Sequence, residues 1–193
     1  LIVYANQIND YIFLRPYGVT TGITGTFPFF IYDQTNAFFL GSDLDIRYKH
    51  SPSWTSEVKV SYVYAVERGS NQPFLEIPPF NVNYSLDYER RPWSYGVNLN
   101  YTATQWNAPP IIEPIDFDNG EAEFTQDEIF DFMAPPPHYL LLGAQASYEK
   151  KQWNVTVRGD NLLNASYRIY TDRLRYFADA PGRNLSISLG FEF

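Results

Sequence analysis

The chain has 193 residues, 14 Lys and Arg against 22 Asp and Glu, no Cys and a mean hydropathy of −0.33. It holds no apolar run near the roughly 18 residues a spanning helix needs, which excludes a helical membrane protein. Without Cys, and with only two isolated His, it offers no zinc site of the Cys/His type, and its net charge of −8 is the wrong sign for a nucleic-acid partner.

Read in chain order for alternation, the sequence predicts eight strands. The first lies within residues 2–14, where the pattern is too irregular to assign a facing. The second lies within 38–48, with Leu44, Ile46 and Tyr48 set against Asp43, Asp45 and Arg47. The third puts Val58, Val60, Tyr62, Tyr64 and Val66 opposite Glu57, Lys59, Ser61 and Glu67. The fourth puts Phe80, Val82, Tyr84, Leu86 and Tyr88 opposite Asn81, Asn83, Ser85, Asp87 and Glu89. In the fifth, Trp93, Tyr95, Val97, Leu99 and Tyr101 face away from Ser94, Gly96, Asn98, Asn100 and Thr102. Leu140, Leu142, Ala144, Ala146 and Tyr148 mark the sixth, and Trp153, Val155 and Val157 against Asn154, Thr156 and Arg158 mark the seventh. The eighth is LSISLGFEF, with Leu185, Ile187, Leu189, Phe191 and Phe193 on one side. A strand that ends on an aromatic of its apolar side is how an outer-membrane barrel closes.

Such a barrel reconciles polar composition with an apolar belt, because only every second residue meets lipid. An aromatic content of 18%, including 16 Tyr, suits two interfacial girdles. Connection length gives a second signal. HSPS (50–53), ERRP (89–92) and EKKQ (149–152) are short, while the links at about 15–37, 68–79, 104–138 and 160–182 are long. Short turns on one rim and long loops on the other predict periplasmic turns and extracellular loops. Trp54, Trp93 and Trp153 each follow a short turn, as an interfacial aromatic belt would. The turns are also basic, with Arg47, Lys49, Arg90, Arg91, Lys150 and Lys151, which suits anionic headgroups.

The last 33 residues, from Asn161-Leu162-Leu163-Asn164 through Tyr167 and Pro181-Gly182-Arg183 to Phe193, resemble the C-terminal end of TonB-dependent outer-membrane receptors. QTNAFFLGSDLDIRY (34–48) and IPPF (77–80) resemble further segments of that family. The resemblance implies an all-β, antiparallel transmembrane barrel and active import of a scarce nutrient. Ferric siderophore, haem, cobalamin, metal chelate, peptide and glycan are the ligand classes it brings. Such receptors close about 22 strands around a plug, so eight strands without a plug imply the C-terminal portion of a larger barrel, residues 1–193 forming one domain. The implied partners are the remaining strands and plug, the TonB energy-coupling complex, lipids and lipopolysaccharide of a Gram-negative outer membrane, and in some members a surface lipoprotein. Neither cofactor nor catalytic residue is implied.

Two links carry chemistry of their own. The link at 104–138 holds Glu113, Asp116, Asp118, Glu121, Glu123, Asp127, Glu128 and Asp131 without a Lys or Arg. These eight leave 14 acids against 14 bases, so the whole net charge sits there. It either gathers cations or is a solvated face. Asp116-Phe117-Asp118-Asn119-Gly120 has its Gly one position too early for an EF-hand loop. The link at 160–182 interleaves Tyr167, Arg168, Tyr170, Arg173, Arg175 and Tyr176, a set suited to stacking and bidentate contacts with a ligand, or to rim contacts with lipopolysaccharide. Asp43, Asp45, Arg47, Arg158 and Asp160 are expected to face the plug across the lumen.

His50 in a turn and His138 at a strand start have no nucleophile–acid arrangement around them, so enzymatic chemistry has no footing. The rival from another class is a self-contained eight-stranded barrel serving as adhesin or anchor, which requires the first strand to pair with the eighth. A soluble β-sandwich leaves the three Trp after the turns unexplained.

Overall fold

The computed structural model describes residues 1–22, 25–109 and 134–191. All eight strands are present: β1 (Ile2–Gly22), β2 (Gly25–Lys49), β3 (Trp54–Glu67), β4 (Asn81–Arg90), β5 (Trp93–Thr102), β6 (Tyr139–Lys150), β7 (Trp153–Asp160) and β8 (Asn184–Phe191). They form one antiparallel sheet in sequence order, β1 to β8. Among the described residues no pairing joins β1 to β8, so this sheet is open and does not have the closure a self-contained barrel requires.

Register fixes the two faces, since residues directly opposite one another point the same way. Ile46 faces Val58, Leu44 faces Val60, and Tyr84 faces both Val58 and Leu99, all on the apolar face. Arg47 faces Glu57, Asp45 faces Lys59, and Asn83 faces Asn100, all on the polar face. The apolar face is the bare one: Ile46, Val97, Leu140, Val157, Leu185, Ile187 and Leu189 are all exposed. At the turn end, rings form a row on that face, with Trp54 against Tyr88 at 4.9 Å, Trp93 against Tyr148 at 4.6 Å and Trp153 against Phe191 at 4.8 Å. Phe193 and the acidic stretch 113–131 lie outside the described residues.

The polar face is braced sideways by short side chains. Asn81 and Asn100 exchange amide hydrogen bonds at 3.3 and 3.2 Å, and Asn81 also donates to Thr102 at 2.8 Å. Ser147 and Thr156 bond at 2.9 Å. Glycine makes room where larger groups cross: a Cβ on Gly41 would lie 2.2 Å from the Tyr4 ring, so the Gly before the acidic part of β2 is a seat for that ring.

One expectation is corrected, and the facing of the first strand is assigned. The link at 15–37 is a β-ribbon and not a long loop, because β1 runs to Gly22 and β2 starts at Gly25. Pro16, Gly18 and Pro28 read as chain breakers. Yet Pro16 and Gly18 border a register shift, a place where a ladder tolerates them, and the run TFPFFIYDQT has strong strand propensity. The irregular first strand has an equally local cause. Ile8 faces Ala37 and Tyr11 faces Thr35, so Asn9 and Asp10 together oppose Asn36 in a bulge. Asp10 takes a φ of 57° there, and its N–H donates to the Asn36 side chain at 3.3 Å. Below the bulge the even residues Tyr4, Asn6 and Ile8 share the polar face. Above it the odd residues Tyr11, Phe13 and Arg15 do. No single alternation describes β1.

Candidate functional site

The loop end of the polar face is where side chains converge. After Glu67 the chain folds sharply back, with Glu67 N–H donating to the Gln72 carbonyl at 2.8 Å and Asn71 N–H to the Glu67 carbonyl at 3.0 Å. This brings Phe74 down onto β1, β2 and β3. Phe74 is 1% exposed and packs with Ala37, Ala65 and Ile77 against Tyr11, Phe13, Phe39 and Val63. Its ring lies 4.8 Å from Phe13 and 5.1 Å from Tyr11, both edge to face. Burying a Phe side chain contributes about 1.5–3 kcal/mol toward holding the loop on the sheet, and a second anchor adds to it. Gln105 is that anchor, itself buried and donating to the Ile77 carbonyl at 2.7 Å.

Beside this cluster lies a cleft of about 250 Å³ walled by Phe13, Pro16, Pro73, Phe74 and Pro109. Arg15 forms its polar edge. Its guanidinium donates to Asp33 at 2.7 Å and to Glu67 at 3.3 Å, and sits 4.9 Å from the Phe13 ring centroid.

The β7–β8 connection arches over from the far side of the sheet. Its entry is set by two Asn in left-handed backbone, Asn161 at φ 47° and Asn164 at φ 52°. Asn is among the few non-Gly residues that tolerate this, because its short amide bonds locally. Asn161 binds Ala165 in both directions at 2.9 Å, and Asn164 accepts from the Arg183 N–H at 3.0 Å. That is the physical content of the NLLN segment. At the crest a 3-10 turn (Arg173–Tyr176) is capped by Asp172, whose carboxylate accepts from Leu174 N–H at 2.8 Å.

The six aromatic and basic residues singled out in this link do come together. Arg175 is 5% exposed and lies 4.7 Å from the Tyr170 centroid and 4.4 Å from that of Tyr176. It donates to the Tyr176 hydroxyl at 2.8 Å and to the Ala134 carbonyl at 3.3 Å. Arg168 donates to Asp179 at 2.7 Å and to the Arg175 carbonyl at 3.0 Å, and Ser166 also donates to Asp179. Arg173 reaches across to Glu76 of the β3–β4 loop, 2.9 and 3.4 Å away. Tyr167 stacks obliquely on Tyr139 at 4.6 Å. All three Arg are thus engaged by the chain's own groups.

Titration behaviour follows from these surroundings. Arg168 and Ser166 hold the Asp179 carboxyl below its ordinary 3.8. Burial pushes the Tyr170 phenol up to about 12 and raises that of Tyr176. The Glu76 carboxylate raises Arg173.

The five charged residues expected to face inward occupy the polar face in two groups. Arg47 lies 3.6 Å from Glu57, and Lys59 bridges Asp45 at 4.0 Å and Glu57 at 3.0 Å, while Asp43 stands opposite Ser61. Arg158 pairs with Asp160 at 3.0 Å nearer the loop end. The described residues hold no group of three or more His, Asp or Glu placed to bind a metal. Glu76, Phe74 and Arg15 carry no local signal in the sequence, and the fourth Trp, Trp106, was hidden by its place in a link.

Comparison with known proteins follows this geometry. A family model described as TonB dependent receptor-like, beta-barrel, matches residues 1–162. No curated protein matches the chain. Among solved structures, the copper transporter OprC aligns with 99% of this chain and 27% of its own length, at a TM-score of 0.74 and 18% identity. A variant of the ferric enterobactin receptor PfeA of Pseudomonas aeruginosa, in complex with enterobactin, aligns with 99% and 28%, at 0.66 and 14%. The ferripyoverdine receptor of the Pseudomonas aeruginosa outer membrane aligns with 85% and 21%, at 0.60 and 16%. Identities this low speak for fold alone, and the chain spans between 21% and 28% of these proteins' lengths. On the family match over 162 of its residues and the eight-stranded antiparallel sheet, the chain belongs to the TonB-dependent receptor family and forms part of its β-barrel.

Proposed function

We propose that this chain supplies the C-terminal eight strands of an outer-membrane receptor that imports a metal ion or metal chelate. The observation that carries the proposal is the two-faced open sheet. An exposed apolar face with a row of Trp at its turn end suits lipid, and a polar face braced by Asn, Ser and Thr suits a hydrated lumen. The two unpaired edge strands would be met by the remaining strands of the barrel, since a strand edge in lipid leaves backbone groups unsatisfied. The metal-related ligand class is drawn from solved relatives named as a copper transporter and as receptors for ferric enterobactin and ferripyoverdine.

In this reading the turns are periplasmic and the loops extracellular in a Gram-negative bacterium. Asp43, Asp45, Arg47, Arg158 and Asp160 contact the plug. The energy-coupling complex acts through that plug, and lipid and lipopolysaccharide cover the apolar face. The cleft beside Phe13 and Phe74 is the place where an apolar part of a ligand would rest. A surface lipoprotein is an optional partner at the loop end.

The test is accumulation of radioactive iron, supplied as mixed siderophore chelates, and of copper, by cells whose only receptor of this kind is the complete protein. Uptake that collapses with a protonophore is expected. A protein correctly placed in the outer membrane that accumulates neither would overturn the metal assignment. Uptake indifferent to the protonophore would overturn energy-coupled import.

A further inference from the structure

We propose that the turn end of the apolar face carries a site for the headgroup of an anionic phospholipid, held between Arg90 and Lys150 over the rings of Trp93 and Tyr148. The sequence repeats itself there. Glu89-Arg90-Arg91-Pro92-Trp93 and Glu149-Lys150-Lys151-Gln152-Trp153 share the order acid, base, base, spacer, Trp. In each, the first base ends one strand and the Trp opens the next.

Register separates the charges of both repeats. Glu89 stands opposite Ser94 and Glu149 opposite Asn154, on the polar face. Arg90 stands directly across from Trp93, and Lys150 from Trp153, on the apolar face. The acids thus go to the lumen side and these two bases to the lipid side. The first turn lacks this arrangement: Lys49 faces Thr55 on the polar face, and the His50 ring shares a hydrogen bond with Ser56 Oγ at 2.8 Å.

The two repeats are neighbours. Glu149 N–H donates to the Pro92 carbonyl at 2.8 Å, and the Arg91 guanidinium lies 3.9 Å from the Glu149 carboxylate. Trp93 pairs with Arg90 on one side and with Tyr148 on the other, its ring 4.6 Å from that of Tyr148. Lys150 follows Tyr148 by two residues, so Arg90 and Lys150 are two strands and one pleat repeat apart, about 12 Å between Cα atoms at standard sheet spacings. Two long side chains close that gap around one phosphodiester. Both residues are exposed, and neither side chain enters an ion pair or hydrogen bond among the described residues.

Charge and position together select the ligand. A guanidinium takes phosphate through two N–H groups and an ammonium acts as a point charge, while Trp and Tyr add donors at headgroup depth. On the lipid side, the nearest counter-charge in a membrane is the lipid's own phosphate. A zwitterionic headgroup brings an ammonium against these bases, so net negative headgroups are favoured. The site's strands, β4 to β7, are flanked by β3 and β8 of the same chain, so it is complete without the rest of the barrel.

The test is native mass spectrometry of the complete receptor in neutral detergent, titrated with phosphatidylglycerol or with phosphatidylcholine of the same acyl chains. Phosphatidylglycerol should bind the more tightly. Arg90→Gln and Lys150→Gln should each weaken it roughly three- to tenfold, from the usual contribution of one base at an anionic surface, and together abolish the preference. Lys49→Gln, the same charge change on the polar face, should leave it intact. Equal binding of the two lipids would overturn the site, as would a preference that survives the double variant or falls as much with Lys49→Gln. Displacement by inorganic phosphate at constant ionic strength would overturn the lipid assignment in favour of a simple anion site. The site rests on the apolar face being the lipid face and not on import, so it can fail while uptake stands, and the reverse.

Discussion

Tyr62 and Trp106 stack on the apolar face with centroids 5.7 Å apart and planes 22° from parallel. Tyr62 stands eight residues along β3 from Trp54, about 26 Å at the usual rise, or about 20 Å measured across a barrel whose strands tilt by 35–45°. Trp106, 63% exposed, is thus placed as an aromatic anchor at the rim opposite the Trp row, contributed by a loop laid back onto the sheet. With the complete receptor in bilayers, brominated lipids should quench Trp106 most when the bromine lies near the headgroups. Trp106→Ala should remove that component and cost under about 1 kcal/mol, because the ring is largely exposed. Strongest quenching from the bilayer centre would contradict the placement.

Arg175 supports the arch through shape as much as charge. Its planar guanidinium lies 4.7 and 4.4 Å from two ring centroids and makes two hydrogen bonds, a combination Lys cannot reproduce. Arg175→Lys should lower the local opening free energy of residues 167–180 by about 1–3 kcal/mol, with little change in global melting. Amide exchange at Phe177 and Ala178, faster by roughly ten- to a hundredfold, is the readout. Unchanged exchange would show that the stacking contributes nothing.

The Arg168–Asp179 tie has a defined pH window. Its carboxyl is held below 3.8, so its contribution is fully present above that ordinary value and disappears as pH falls through the lower folded value. Proteolysis of the arch should be flat from pH 7 to 5 and accelerate only under strongly acid conditions. Asp179→Asn should make the arch more susceptible at pH 7 and remove its share of the acid response.

Tyr170 titrates at the other extreme. Burial raises its phenol to about 12 from 10, so folding favours the protonated form. Stability from this group is intact below pH 10 and falls as pH climbs toward 12, by on the order of 2 kcal/mol. Tyr170→Phe should leave stability within about 0.5 kcal/mol at pH 7 and flatten the alkaline decline, measured as amide exchange of the arch against pH. An identical alkaline decline in both proteins would assign it to other groups.

The strands from β3 to β8 were legible because period-2 alternation is local and each one keeps a single phase. Trp54, Trp93 and Trp153 marked the turn end for the same reason: a turn and its first strand residue are neighbours in sequence. The ribbon of β1 and β2 was not legible, since Pro16 and Gly18 look alike whether they break a strand or border a register shift, and Pro28 looks alike whether it ends a strand or pairs within one. The Tyr and Arg residues of the arch were visible as a composition, but their partners were not. Glu76 and Ala134 lie far away in sequence, and no short-range pattern records a contact that loops make across a sheet.

The bulge at Asn9 and Asp10 makes residue count, apart from residue type, a structural variable of β1. Loss of one residue at the bulge would leave a single residue opposite Asn36, with Ile8 still across from Ala37 and Tyr11 across from Thr35, so both faces of β1 would survive. The bulge is thus a spare residue: β1 can lose one position there and keep Tyr4, Asn6 and Ile8 on the polar face, now in one unbroken alternation with Tyr11, Phe13 and Arg15.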